Sequence, residues 1–179
     1  MSGTFIVVGG PAGTGKTTIA QLLSQELKCP FLEGDEFHPP ENIEKMSKGF
    51  ALNDEDRWGW LTILSEKTSE ACLEPTNTTK TAIVSCSMLK KIYRHHIKLH
   101  ANSELNFKFI FLYSTFEELL NRVGNRKGHY MKSDMVKSQY DIMEIPVDQE
   151  LIENGGDCIA IDTTGKTPNQ IFQEIKNGL

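Results

Sequence analysis

Near the N-terminus, Gly10, Gly15, Lys16 and Thr17 stand at the spacing GxxxxGK[ST], within the run GPAGTGKTT. Each residue type in that pattern has a use. The glycines let successive backbone N–H groups converge on an anion with no Cβ in the way, and the helix behind them adds the positive end of its dipole. Gly10, Pro11, Ala12, Gly13, Thr14, Gly15, Lys16, Thr17 and Thr18 are therefore expected to wrap the phosphates of a nucleoside triphosphate. Lys16 would reach the β- and γ-phosphates as a catalytic cation, and the Thr17 hydroxyl would ligate Mg²⁺. The context supports the motif: an apolar run from Phe5 to Val8 precedes it, and KTTIAQLLSQELK follows with Ile19, Leu22, Leu23 and Leu27 on one helical face.

A second constellation, EGDEFHPPENIEKM, brings Glu33, Asp35, Glu36 and His38 together. Phosphoryl transfer asks little covalent chemistry of a protein, but it does ask for a group that orients the acceptor hydroxyl and takes its proton. Asp35 is the candidate for that task. The competing reading makes Asp35 and Glu36 loop acids beside a Pro-Pro turn, and His38 a structural hydrogen-bonder. The later run TAIVSCS ends without the acid of a Walker B strand, so Thr17, phosphate oxygens and water are expected to hold the magnesium, with Asp35 acting through a water. After it, SMLKKIYRHHIKLH concentrates Lys90, Lys91, Arg94, His95, His96 and Lys98 around a buried face of Leu89, Ile92, Tyr93 and Ile97. A cation in a helix's first turn opposes the dipole, which gives Lys90 and Lys91 a reason to serve an anionic substrate, and with Arg57 they could hold a carboxylate. Arg122, Arg126, Lys127, His129 and Lys132 lie in a glycine-punctuated stretch that reads either as a basic loop or as a cover over bound phosphates that brings arginine to the transition-state charge.

These residues need a scaffold. The 179 residues fit one domain with a core that needs no disulfide. A net charge of -5 gives no general attraction for nucleic acid or an anionic membrane. Cys29, Cys72, Cys86 and Cys158 are scattered without metal-ligand spacing and read as reduced thiols; with no apolar span or signal segment, the expected location is cytoplasmic. Apolar runs at Pro30 to Leu32, Thr81 to Cys86, Phe107 to Tyr113 and Asp157 to Ile161 look like strands buried on both faces. Between them, Asn53, Thr115 and Thr167 stand at helix-capping positions, the last followed by Pro168. Strand and helix alternate to the end, which predicts an α/β fold with a parallel sheet, helices on both sides and ligands at the carboxyl ends of the strands.

At this point the motifs GPAGTGKTT, GDEFHPPENIEKMSKGFALNDEDRWGWL, SCSMLKKIYR, RKGHYM and QYDIMEIP resemble the small phosphate-loop gluconokinases, relatives of shikimate kinase and adenylate kinase. The block HPxxNIEKMxxG followed by DxDRxxWL is the distinctive one. The resemblance implies a three-layer α/β/α sandwich on a five-stranded parallel sheet of order 2-3-1-4-5, a single domain over residues 1–179, and a lid at about residues 124–136. It implies phosphorylation of the 6-hydroxyl of D-gluconate by ATP with Mg²⁺. By position, Asp35 would be the base, and His38, Arg57, Lys90, Lys91, Arg94 and His129 would line the gluconate side. Arg122 and Arg126 would belong to the nucleotide-side lid, with Arg126 catalytic and Arg122 against adenine, and the Asp162 to Gly165 loop would complete the adenine pocket. Similar enzymes suggest a homodimer. Where relatives commonly have proline, this chain has Ala51 and Gly59, which is expected to loosen the loop beside the substrate.

Three other readings compete, one of them a catalytically silent ATP-binding module, which would explain Lys16 but not the acid-plus-base constellation on the opposite side. Asp56-Arg57-Trp58-Gly59 spells the DxxG of a regulatory GTPase, but it follows no apolar run and no NKxD accompanies it. A kinase for shikimate or a nucleoside monophosphate would share the phosphate loop but not HPPENIEKM.

Overall fold

The computed structural model describes residues 3–124 and 133–179. Five parallel strands, β1 (Thr4–Gly9), β2 (Phe31–Glu33), β3 (Thr81–Cys86), β4 (Asn106–Tyr113) and β5 (Cys158–Asp162), form one sheet in the order β2-β3-β1-β4-β5. Among the described residues seven α-helices surround it: α1 (Lys16–Leu27), α2 (Pro40–Ser47), α3 (Asp54–Leu73), α4 (Lys91–His100), α5 (Phe116–Gly124), α6 (Ser133–Ile142) and α7 (Pro168–Gly178).

The central stretches of β1, β3 and β4 are apolar and buried because both faces are covered. On β1, Phe5 and Val7 join a cluster with Trp60, Leu61 and Leu64 of α3 and Tyr93 and Ile97 of α4. Their neighbours Ile6 and Val8 join Ile19 and Leu23 of α1 and Ile171 and Ile175 of α7 on the opposite face. β4 divides likewise, Phe109 and Phe111 to one side, Ile110 and Leu112 to the other. Full burial of one such side chain is worth roughly 1.5–3 kcal/mol, so the two clusters clamp the sheet from both sides. Along α1 the buried face runs through Ile19, Ala20 and Leu23, while Leu27, expected to continue it, is exposed in the last turn.

The capping signals read from the sequence are where the chain turns. Asn53 and Thr167 close reciprocal capping boxes at the starts of α3 and α7, and Thr115 Oγ1 accepts from the Glu118 N–H. β1 crosses by α1 to β2 on one side, whereas β3 crosses by α4 to β4 on the other. The crevice between the carboxyl ends of β1 and β3 is therefore the switch point of the sheet, where a ligand site is expected. Gly59 sits inside the unbroken helix α3, so the loosening expected there is not seen. Arg126, Lys127, His129 and Lys132, with most of the expected lid, lie outside the described residues.

Candidate active site

A cavity of about 480 Å³ opens at that crevice, with Lys16, Thr17, Asp35, His38 and Arg57 all on its wall. The glycine loop and the acidic turn thus face one space. The loop is built by backbone conformation. Gly10 has φ 133°, and a Cβ there would stand 2.0 Å from the Leu112 carbonyl oxygen, so only glycine fits. Gly15 leads into α1 with φ 87°, offering no side chain to the first-turn N–H groups, and that turn carries no acid. Those donors and the dipole end are what a phosphate uses. Within the loop, Thr14 Oγ1 donates to the Pro11 carbonyl at 2.9 Å, and Lys16 Nζ donates to the Gly10 carbonyl at 2.9 Å.

Thr17 Oγ1 donates to Glu33 Oε2 at 2.8 Å, and Ser85 Oγ donates to Glu33 Oε1 at 2.6 Å. Glu33 ends β2 in register with Ser85 of β3. The acid missing from the end of β3 is supplied by the neighbouring strand and bound to the β3 serine. Sequence reasoning grouped Glu33 with the acids of its turn but gave it no role; its place as last residue of a strand was the available signal. Thr17 and Glu33 together are hard oxygen donors, a set that fits Mg²⁺.

The acceptor end follows from α3 and the turn after β2. Asp35 projects from a 3₁₀ turn over Gly34–Phe37 with an exposed side chain. His38 is buried and stacks on Trp60 with centroids 3.9 Å apart, and the Trp60 indole N–H is tied to the Gly34 carbonyl at 2.8 Å. Burial pushes the His38 pKa down to about 4, against the pull of Asp35 and with a smaller push from Arg57, so the ring is neutral at pH 7. Arg57 is only 4% exposed. Its Nη2 donates to the Leu52 carbonyl at 3.2 Å and its Nη1 reaches Ser87 Oγ at 3.4 Å, while its buried Nε has no hydrogen-bond partner. Burial lowers its pKa, opposed by Tyr93, Asp54 and Asp56.

Lys90, Lys91 and Arg94, also expected on the gluconate side, do not border this cavity in the structure. Lys90 precedes α4 and its Nζ lies 3.1 Å from Asp54 Oδ1, so the acid at the start of α3 already answers its charge. The Lys91 side chain is exposed, and its backbone N–H donates to Glu144 Oε1 at 2.8 Å. Arg94 forks onto Glu150 at 2.9 and 3.0 Å and donates to the Met88 and Glu144 carbonyls, each at 3.0 Å, which satisfies the buried guanidinium internally. Arg122 does border the cavity: it donates to the Gly13 carbonyl at 3.1 Å and the Thr163 carbonyl at 3.0 Å, tying the phosphate loop to the segment after β5. A smaller hollow of about 230 Å³ lies there, between Thr18, Arg122, Lys166 and Pro168. Met135 and Gln139 of α6, which the sequence did not single out, also border the main cavity, and Gln139 Oε1 accepts from the Ala12 N–H at 2.8 Å.

A phosphate loop at the switch point of a 2-3-1-4-5 parallel sheet, facing an acid across one cavity, defines a phosphate-loop kinase. The family model described as shikimate kinase matches residues 12–179. The chain is 43% identical over 175 residues to a probable gluconokinase of Saccharomyces cerevisiae, covering 95% of this chain and 87% of that one. It is 38% identical over 172 residues to the gluconokinase of Gluconobacter oxydans, covering 96% and 88%. The crystal structure of a gluconokinase from Sinorhizobium meliloti superposes with a TM-score of 0.79 at 33% identity, covering 98% of this chain and 90% of that one. The chain belongs to the gluconokinase family.

Proposed function

We propose that this protein transfers the γ-phosphoryl group of ATP to the 6-hydroxyl of D-gluconate, giving 6-phospho-D-gluconate and ADP. The observation that carries the reading is the shared cavity: phosphate loop, exposed Asp35 and buried Arg57 border one space, and an anionic sugar acid suits it. Asp35 accepts the proton of the acceptor hydroxyl, whose oxygen bonds to the γ-phosphorus as the bond to the β–γ bridging oxygen breaks. Lys16 and the loop N–H groups take up charge on the transferred group, with Arg126 joining from beyond the described residues. Magnesium bound with the nucleotide would neutralise phosphate charge, and Thr17, with Glu33 beside it, would hold it. Arg57, with His38, faces the acceptor: its partnerless Nε is a desolvated donor for a carboxylate. Arg122 and the hollow it lines with Thr18 and Lys166 suit the nucleotide base. A cytoplasmic homodimer completes the proposal; among the described residues no helix is long and apolar enough to cross a membrane, and the four free cysteines are buried.

A coupled assay of ADP release over gluconate, other sugar acids, neutral sugars, shikimate and nucleoside monophosphates tests the reading. Turnover with gluconate far above the rest is expected. Preference for shikimate or a nucleoside monophosphate would replace it.

A further inference from the structure

His38 reaches the cavity wall with one ring nitrogen already engaged from behind. The side-chain nitrogen of Asn42, buried on α2, lies 2.8 Å from the Asp56 backbone carbonyl oxygen and 3.2 Å from His38 Nδ1. A carbonyl oxygen only accepts, so the Asn42 atom placed between these partners is its NH₂ group; turning the amide over would set oxygen against oxygen. The two amide hydrogens then serve the two partners, and His38 Nδ1 receives one of them with its lone pair. A neutral imidazole with its lone pair at Nδ1 carries its proton at Nε2. That Nε2 is the nitrogen beside the acid, 4.0 Å from Asp35 Oδ1.

We propose that Asn42 is a positioning residue that holds His38 in the Nε2–H form, so that the ring meets the acceptor substrate only as a hydrogen-bond donor and Asp35 alone takes the hydroxyl proton. The proposal rests on the phosphotransfer reading of the cavity and divides the labour within it. An imidazole with its lone pair at Nε2 would compete with Asp35 for that proton; here the lone pair is turned away from the cavity and buried against an amide. The surroundings enforce the arrangement. The ring is pinned flat on Trp60, and Asn42 is fixed through Asp56, whose carboxylate is held by Lys45 at 2.6 Å and by the Asn53 N–H at 2.9 Å. Asn42 and Lys45, three residues apart on one face of α2, therefore both anchor to the start of α3. A doubly protonated ring would set an N–H against the Asn42 N–H, in keeping with the neutral state that burial and Arg57 favour and Asp35 opposes.

Nitrogen-15 NMR of the full chain at neutral pH reads both ring nitrogens of His38, with His38→Gln assigning the signals. The expected spectrum has a protonated Nε2 and a bare Nδ1; a proton at Nδ1, or an even mixture, overturns the proposal. Asn42→Asp replaces the donor with an acceptor. It is expected to move the proton to Nδ1 and lower kcat with gluconate roughly 10- to 100-fold while the Kd for ATP holds; the melting midpoint falls, because the new carboxylate faces the Asp56 carbonyl oxygen. A moved proton with unchanged kcat overturns the proposal. Should that variant not fold, Asn42→Ala takes its place: mixed forms of the ring with a smaller loss of kcat are expected, and an unaltered Nε2–H ring overturns it. Failure of the wild-type protein to phosphorylate gluconate would instead remove the proposed acceptor, and the tautomer measurement would still be decided on its own.

Discussion

Replacing Arg57 with methionine separates what this side chain does for the substrate from what it does for the fold. In the structure its guanidinium is almost wholly removed from water, rests 5.2 Å from the Tyr93 ring centroid, and holds one bond to the Leu52 carbonyl and one long contact to Ser87. A hydrogen bond between a charged group and its partner is worth about 1.5–3 kcal/mol net. At 1.4 kcal/mol per factor of ten, Arg57→Met should weaken gluconate about 10- to 150-fold. Binding of ATP should be unchanged, because the phosphate end of the cavity keeps its own donors. Stability should move the other way or not at all. The lost charge-assisted bond to the Leu52 carbonyl contributes about 1.5–3 kcal/mol and the long Ser87 contact less, set against a desolvation cost of several kcal/mol for a buried cation with a partnerless Nε, itself offset in part by Asp54 and Asp56. Methionine fills much of the same volume without charge. Titration calorimetry with gluconate and with ATP, beside a thermal melt, reads all three quantities. Gluconate affinity that survives, ATP affinity that falls in step with it, or a fold that collapses would each refute the assignment.

Asp35→Asn should reduce turnover by roughly 10²–10⁴ with nucleotide binding kept, since it removes the proton acceptor but not the phosphate site; near-normal turnover would take Asp35 out of that role. Glu33→Gln preserves the shape of the contacts to Thr17 and Ser85 but not the charge, so the Mg²⁺ concentration for half-maximal turnover should rise roughly tenfold, and an unshifted magnesium titration would count against a metal-side role. His38 is held well below its ordinary value, to about 4, so the unfolded chain takes up its proton first as pH falls; the stability tied to the neutral ring is complete above about pH 6.5 and is lost progressively toward pH 4. Melting midpoints of wild type and His38→Gln should therefore converge on acidification, and parallel curves would refute it. At Gly59, an exposed position in α3, an added Cβ meets nothing within 4 Å. Gly59→Ala should stabilise by about 0.5–1 kcal/mol, raising the melting midpoint roughly 1–4 °C; a lowered midpoint would show that the glycine is needed there.

Where backbone chemistry is local, it was legible in the sequence. The glycines of the phosphate loop, the caps at Asn53 and Thr167 and the uninterrupted apolar strands each state their conformation in a few neighbouring residues, and the doubly covered sheet follows from them. Partners drawn from distant segments were not. Glu33 reads as one acid among several until β2 is paired with β3 and its carboxylate meets Thr17 and Ser85. Gln139 meets the phosphate loop across 127 residues of chain, and no periodicity announces that contact. The basic run from Lys90 to Lys98 shows the same limit. Its charges are visible in one stretch, but the acids that answer them, Asp54 and Glu150, lie 36 and 56 residues away.

That last difference bears on how the cavity would choose an anionic acceptor. Lys90 and Lys91 look better placed by charge count, yet Lys90 is already answered by Asp54 and the Lys91 side chain stands in water, where an ion pair is worth about 0–1 kcal/mol. Arg57 is one charge, but it is dry, and a carboxylate arriving beside it exchanges an only partly offset desolvation cost for a charge-assisted bond. A neutral sugar would leave that cost standing. The neutral His38 next to it adds a donor without a second cation, so the pull on a carboxylate stays localised at Arg57 and does not draw the phosphates of ATP into the acceptor end. Selectivity between an acid and its neutral counterpart then depends on where a cation is buried and not on how many the surface displays.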